Sequence, residues 1–319
     1  MITIYYKEEK QILGSHDLKL LDELGYNDIL WIDLNDPDGN EKRKVEEFLE
    51  IPLQSRAQAE EIESSSRYSE TEHAIFANSN FLIAAPDTYN EEPVSFILAE
   101  ELLVTLRNSH LRSFSDIERR LLASHRVYPT GYHLLIAIIE NRIDMDADMI
   151  ELLAKEVAQL SKGISSGNVS EEMLLDINQL QENTMLIREN IIDKQRVISS
   201  IMKSDKFPGD IYPKLNVVIK DIGSLINHTD FSFERLEFMQ DTVLGLINLE
   251  QSKTIKIFTV LTVFFMPPTL IASMYGMNMF LPLAELGGAD KPWGFIIICG
   301  IMILSVVAAM YYFKRKKIW

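Results

Sequence analysis

The chain has 319 residues with 31 basic and 47 acidic side chains, a formal net charge of −16 and a mean hydropathy near zero. Such an acidic balance argues against a nucleic-acid surface built on phosphate neutralisation. The single cysteine, Cys299, excludes an intrachain disulfide and a cysteine-based zinc site. Near-zero hydropathy with 24% charged residues is the average of a polar part and a very apolar one.

The opening MITIYYKEEK alternates and carries charge, so a signal peptide is not expected there. Residues 2–6, 29–34, 74–85, 94–99 and 102–106 have strand-like apolar content, and 41–49 and 113–123 read as helices. The expectation is a cytoplasmic α/β domain over residues 1–125, with a strand order that the pattern does not reveal. Asp33, Asp36, Asp38 and Glu41 crowd a turn-rich stretch, but Leu34 stands where the first ligand of a calcium-binding EF-hand loop would be, so the stretch reads as a turn and helix cap. Glu60, Glu61 and Glu63, and the pair Glu171 and Glu172, are open to two readings, metal sensors or solvated faces. The six histidines show no paired spacing on one helix, so a histidine metal centre is not expected.

Long helices follow. Residues 132–160 form a charge-studded helical pattern, 161–168 with Gly163 and Gly167 break it, and Ser170 with Glu172 and Met173 opens a second pattern that lasts to about residue 203. This predicts a helical hairpin within residues 126–210, turned by Lys206-Phe207-Pro208-Gly209 into a third run. From 211 to 278 no strong stop signal occurs except Pro267-Pro268, which predicts one rod on the order of 100 Å long, a stalk (211–253) continuous with a membrane span (254–278). The segment HTDFSF, 228–233, is the weakest part of that rod.

The membrane reading rests on length. A hydrocarbon core about 30 Å thick needs about twenty apolar residues in a helix. Residues 257–274 and 293–313 carry no charge and meet that need with their flanks, and no third segment does. Lys253 and Lys256 precede the first span and Lys314, Arg315, Lys316 and Lys317 follow the second, while the loop 279–292 holds only Lys291 against Glu285 and Asp290. Both termini, including the basic tail 314–319, are therefore expected on the cytoplasmic side. The same lysines and arginine would form a basic ring at the cytoplasmic mouth of an oligomer, or simply anchor the helices at lipid headgroups.

At alternating steps of four and three, the lower rod presents Asp241, Gly245, Asn248, Ser252, Ile255, Thr259, Thr262, Met266, Thr269 and Ser273 on one face, with Phe258 beside them. Small and polar residues collect there, either because helices pack through them or because the face lines water. Two spans cannot enclose a pore, so the pore reading requires a homo-oligomer with this helix innermost. Pro267-Pro268 removes two backbone donors within the span, freeing carbonyls near Val263 and Phe264 and either bending the pore near Met266 or serving packing.

The stretch Ile247-Asn248-Leu249-Glu250-Gln251 through Ile255-Lys256-Ile257-Phe258, then Met266-Pro267-Pro268-Thr269-Leu270, Tyr275-Gly276-Met277-Asn278 and Tyr312-Phe313-Lys314-Arg315-Lys316 resemble CorA-type magnesium transporters of the enterobacterial-like branch. The likeness extends to Trp31-Ile32-Asp33-Leu34 and to Glu60-Glu61-Ile62-Glu63 with Ser65, Ser66 and Arg67. The resemblance implies an α+β membrane protein assembled as a funnel-shaped homopentamer in the cell inner membrane. It also implies a filter at Gly276, Met277 and Asn278 next to Tyr275, and a pore that intracellular Mg²⁺ holds shut through acidic sites between cytoplasmic domains. Asn278 would hold the ion in hydrated form, because Mg²⁺ sheds its waters reluctantly and amide oxygens accept hydrogen bonds from them.

No phosphate-binding glycine loop and no catalytic-serine elbow occurs, which points to passive, nucleotide-free influx and not to an enzyme; the resemblance implies Mg²⁺ as the ion, with Co²⁺ and Ni²⁺ as further ions. Where relatives often carry a Met-Pro-Glu-Leu loop, this chain has Leu281-Pro282-Leu283-Ala284-Glu285-Leu286, which leaves Glu285 as the negative group of the outer loop. Two alternatives stand beside this reading. A zinc-transporting relative would show proton-coupled Zn²⁺ flux, and a membrane-tethered sensor or scaffold would show no flux and tolerate Asn278→Ala.

Overall fold

The computed structural model describes residues 1–9, 11–54, 58, 67–124, 128–166, 170–276 and 293–315. They divide into two compact units, Met1–Asp241 and Thr242–Trp319.

The first unit is built on a seven-stranded sheet in the order β2-β1-β3-β7-β6-β5-β4. Its strands are β1 (Ile2–Glu8), β2 (Gln11–Ser15), β3 (Ile29–Asn35), β4 (Tyr68–Glu70), β5 (Ala74–Ala84), β6 (Tyr89–Ala99) and β7 (Leu102–Arg107). All neighbours run antiparallel except β3 and β7, which pair in parallel with Trp31 opposite Leu103 and Leu34 opposite Leu106. Both edge strands are short, which limits the unpaired backbone on offer. The expected strands are all present. β2 and β4 were not expected, because neither alternates in hydropathy.

β6 begins five residues earlier than its apolar run. Pro93 lies inside it, opposite Asn80 of β5, but the β6–β7 ladder covers only Ser95 to Ala99. Pro93 therefore stands where β6 is an edge, and its missing N–H interrupts no ladder bond.

Helices cover both faces of the sheet. α1 (Leu20–Glu23) and α2 (Gly39–Leu49) close one, over a core that includes Ile4, Ile32, Leu34, Val45, Leu49 and Val104. α2 starts as the DPDG stretch suggests: the Asp38 side chain accepts from the N–H groups of Asn40 and Glu41, and the Glu41 carboxylate accepts from the N–H of Asp38, a reciprocal cap. Glu41 also accepts from Ile2 N–H and pairs with the terminal ammonium.

The other face carries α3 (Arg112–Ala123), α4 (Gly131–Ser165) and α5 (Glu171–Ile201) over a larger core in which Trp31 stacks on Tyr5 at 4.7 Å. The entry to α4 depends on Gly131, whose N–H donates to Glu101 O. A Cβ there would lie 2.5 Å from Leu103 N and 2.6 Å from Glu101 O, both backbone, so only glycine permits the helix to start this close to the β6–β7 turn. α4 also runs beyond its expected end. Gly163 breaks nothing; it is helical, and a Cβ on it would meet Met173 of α5 at 2.8 Å. The atom it would meet is the movable end of a methionine, so the position does not demand glycine, and composition does not distinguish such a glycine from a breaker.

α6 (Tyr212–Gly276) is a single helix of 65 residues that continues through 228–233. In the first unit Leu215, Val218, Ile222, Thr229, Ser232, Leu236 and Met239 recur at steps of three, four or seven and are all buried. The polar look of HTDFSF thus comes from its outward positions together with two small hydroxyl residues on the seam, one of which, Thr229, donates to Ile226 O at 2.7 Å.

Candidate functional site

Of the acidic residues singled out in the first unit, Asp33, Asp38 and Glu41 have structural partners. Asp33 is buried, and its carboxylate accepts from Thr105 Oγ1 (2.7 Å) and from Arg107 Nε and NH2 (3.2 and 2.6 Å), while Trp31 Nε1 donates to Thr105 Oγ1 at 2.9 Å. The Trp31-Ile32-Asp33-Leu34 motif therefore cross-links the one parallel strand pair, and Asp33 has little left for a metal. Asp38 and Glu41 cap α2, as described above. Glu171 and Glu172 lie exposed in the first turn of α5. Glu60, Glu61 and Glu63 lie outside the described residues. No group of three or more acidic, histidine or cysteine side chains able to hold a metal occurs among the described residues.

One charged group was missed by the sequence reading. Lys194 of α5 is fully buried, with Nζ 3.1 Å from Asp146 Oδ2 and 3.1 Å from Asn80 O of β5, and Asp146 also accepts from Arg142 Nε at 2.8 Å. Both cations sit over the Phe81 ring, at 5.5 and 5.6 Å. Burial lowers the Lys194 pKa to about 8, with Arg142 pushing the same way and Asp146 opposing. The only signal in the sequence is the Arg142-x3-Asp146 and Asn190-x3-Lys194 spacing, which on a surface helix would be unremarkable.

In the second unit, α6 and α7 (Trp293–Arg315) are both long and apolar enough to cross a membrane. Beyond residue 248, Val260, Val263, Phe264, Pro267, Pro268, Ile271 and Tyr275 are the half-buried residues of α6, and Phe264 meets Phe313 of α7 with ring centroids 5.9 Å apart. These residues form the seam between the two spans. Asn248, Ser252, Ile255, Phe258, Thr259, Thr262, Met266, Thr269 and Ser273 are all exposed and lie off that seam. The small and polar residues are therefore not spent on packing the second span. The two prolines do lie on it, inside a helix that continues past them.

The hydroxyls on this face have a fixed polarity. Thr259, Thr262 and Thr269 each donate to the carbonyl four residues earlier, Ile255, Phe258 and Phe265, at 2.8, 2.8 and 2.6 Å. Each proton is thus turned toward its own helix and the oxygen lone pairs remain available outward, which presents acceptors to whatever lies along the face. Ile255 and Met266 interrupt the row with apolar bulk.

Gly276 is the last described residue of α6, with Tyr275 half-buried before it. Met277, Asn278, Glu285, Lys316 and Lys317 lie outside the described residues. Lys253 and Lys256 are exposed on α6, and Lys314 and Arg315 occupy the last turn of α7.

Residues 26–315 match the family described as CorA-like Mg²⁺ transporter protein. The chain belongs to this family. It is 36% identical over 323 residues to a protein named magnesium transport protein CorA from Wolinella succinogenes, covering 99% of both chains. It is 34% identical over 292 residues to the protein of the same name from Escherichia coli K12, covering 90% of this chain and 91% of that one. The fold matches the complete structure of the CorA magnesium transporter from Methanocaldococcus jannaschii with a TM-score of 0.78 at 20% identity, over 99% of this chain and 98% of that one. Membership makes the chain a membrane transport protein of the CorA type, with the two apolar helices as its spans.

Proposed function

We propose that the chain is the subunit of a homopentameric channel in the cell inner membrane that admits Mg²⁺, and with it Co²⁺ and Ni²⁺, down the electrochemical gradient, with both termini in the cytoplasm. The observation that carries this reading is the exposed row of threonine oxygens on α6, off the seam with α7, that leads to Tyr275-Gly276-Met277-Asn278. The relatives' printed name supports Mg²⁺ as the cargo.

Five copies around an axis would turn these rows inward as stacked rings of acceptors. Hydrated Mg²⁺ presents only O–H donors at its surface, so such rings can pass the ion with its waters in place. A ring of Asn278 amides with the carbonyls of Gly276 and Met277 would hold that hydrated ion at the outer end without the deep charge trap of a carboxylate ring. Ile255 and Met266 would close the path by dewetting. Lys253, Lys256, Lys314, Arg315, Lys316 and Lys317 would oppose cations at the cytoplasmic mouth, while Glu285 would draw them to the outer one. An inside-negative potential contributes about 2.3 kcal/mol per charge per 100 mV, roughly twice that for a divalent ion, so no nucleotide is needed. Intracellular Mg²⁺ would act as both cargo and closing ligand, at carboxylates other than Asp33.

Uptake into liposomes loaded with a Mg²⁺-sensitive dye tests the proposal. Wild type should conduct when an inside-negative potential is imposed, and Asn278→Ala and Thr269→Val should reduce the rate with assembly intact. Absence of flux in wild type, or full flux in Asn278→Ala, would make the spans a tether instead.

A further inference from the structure

The seam between the two spans closes on one aromatic contact. On α7, Gly294 and Ile298 are buried and Met302, Ser305, Ala309 and Phe313 half-buried, at steps of three and four that turn them to one side. From 307 to 315 only Ala309 and Phe313 are not exposed, so Phe313 is the one bulky side chain that holds this end of α7 to α6. Its partner is Phe264, at 5.9 Å between ring centroids and 46° between planes.

The contact sets the height of the charges that follow it. Residues 248–259 of α6 are all exposed, so the buried start of α7 can lie only beside the part of α6 beyond them, and the two helices run antiparallel. At 1.5 Å per residue, Arg315 then stands about level with Thr262, each about 3 Å past the contact, and Lys256 lies about 9 Å lower. No charged residue occurs on α6 from 257 to 276, so Lys314 and Arg315 are placed beside an apolar stretch of that helix. Charged side chains in such a setting are drawn toward water. The end of α7 is therefore held against that pull, and Phe313 on Phe264 is the contact placed to hold it.

We propose that Phe313 is a positioning residue: through Phe264 it fixes Lys314 and Arg315 at the height of Thr262, where their charge raises the barrier that a cation meets on the pore face. The inference rests on the transport reading and adds to it a contact that regulates the rate.

The test is Mg²⁺ uptake into liposomes of zwitterionic lipid at ionic strengths of about 10 mM and about 1 M, where charges are screened over about 30 Å and about 3 Å. Lys314→Gln with Arg315→Gln should raise uptake about twofold or more at the low ionic strength and leave it unchanged at the high one. Phe313→Ala, which alters no charge, should reproduce both results, and Phe264→Ala should do so from the other helix. Phe313→Tyr, which keeps a ring at the contact, should behave as wild type. Adding Phe313→Ala to the charge variant should raise uptake no further. A mere loss of packing would change uptake equally at both ionic strengths or add to the effect of the charge variant, and either result would overturn the proposal. So would unchanged uptake in Phe313→Ala, or failure of both alanine variants to assemble by gel filtration. Wild type without uptake would sink the transport reading and this inference together, whereas the other adverse results leave the transport reading standing.

Discussion

The buried Lys194 carries a pH dependence whose sign follows from its surroundings. Asp146 is its one direct anionic partner, Arg142 a competing cation, Asp193 a more distant anion, and Asn80 and Asn190 neutral acceptors. The folded pKa is lowered to about 8, below the ordinary lysine value kept by the unfolded chain. At lower pH both states hold the proton and the contribution is constant. Above about pH 8 the folded state releases its proton while the unfolded state still binds one, so stability rises with pH until the unfolded lysine titrates as well. Once Lys194 is neutral, Arg142 and Asp146 remain a balanced pair. Thermal melting of the first unit should therefore move upward from pH 8 to 9, before Tyr5, Tyr26, Tyr68, Tyr89 and Tyr132, whose pKa values burial raises, begin to oppose it as their unfolded counterparts ionise near pH 10. Lys194→Met should abolish that rise and cost little at pH 7, because an apolar side chain of similar volume replaces a buried charge. Asp146→Ala should cost about 3–5 kcal/mol by stranding two cations. A wild-type melting curve that is flat or falling across this window would refute the assignment.

Among the elements, those with strong periodicity were legible in the sequence and those fixed by tertiary contact were not. The apolar strands, the capped α2 and the continuous α6 follow from local pattern, since alternation, the Asp38–Glu41 cap and a lack of breakers are properties of neighbouring residues. β2, β4 and the first half of β6 depend on a partner strand, so no local signal marks them. The candidate pore face was legible at the level of which residues share it, because a helix fixes that geometry. Its separation from the α7 seam was not, since that depends on where Phe264 meets Phe313. The inward-donating threonines lead to a prediction at this scale. If the acceptor oxygen matters, Thr262→Ser should keep Mg²⁺ flux near wild type. Thr262→Val, which keeps shape and loses the oxygen, should lower flux about tenfold, about 1.4 kcal/mol on the barrier. Equal flux in the two variants would show that the hydroxyls serve the helix alone.

At the scale of the whole molecule, the division at Asp241 and Thr242 separates two ways of using one helix. N-terminal to it, α6 buries Leu215, Val218, Ile222, Leu236 and Met239 in the first unit. C-terminal to it, Ile255, Ile257, Phe258, Leu261, Phe265 and Leu270 stand exposed, as they can only in lipid or in contact with other chains. The first segment is thus a structural part of the sheet-bearing unit, although the second is its covalent continuation. Fully burying an aliphatic side chain contributes about 1.5–3 kcal/mol, so the five together supply on the order of 10 kcal/mol, comparable with the whole stability of an ordinary domain. A fragment comprising residues 1–241 should therefore purify without detergent and melt in one cooperative transition by circular dichroism. A fragment ending at residue 211 should show no such transition, although it keeps every strand of the sheet and both hairpin helices. If the shorter fragment melted as sharply as the longer one, the seam on α6 would be a passive contact. The helix would then belong to the spans from its first turn.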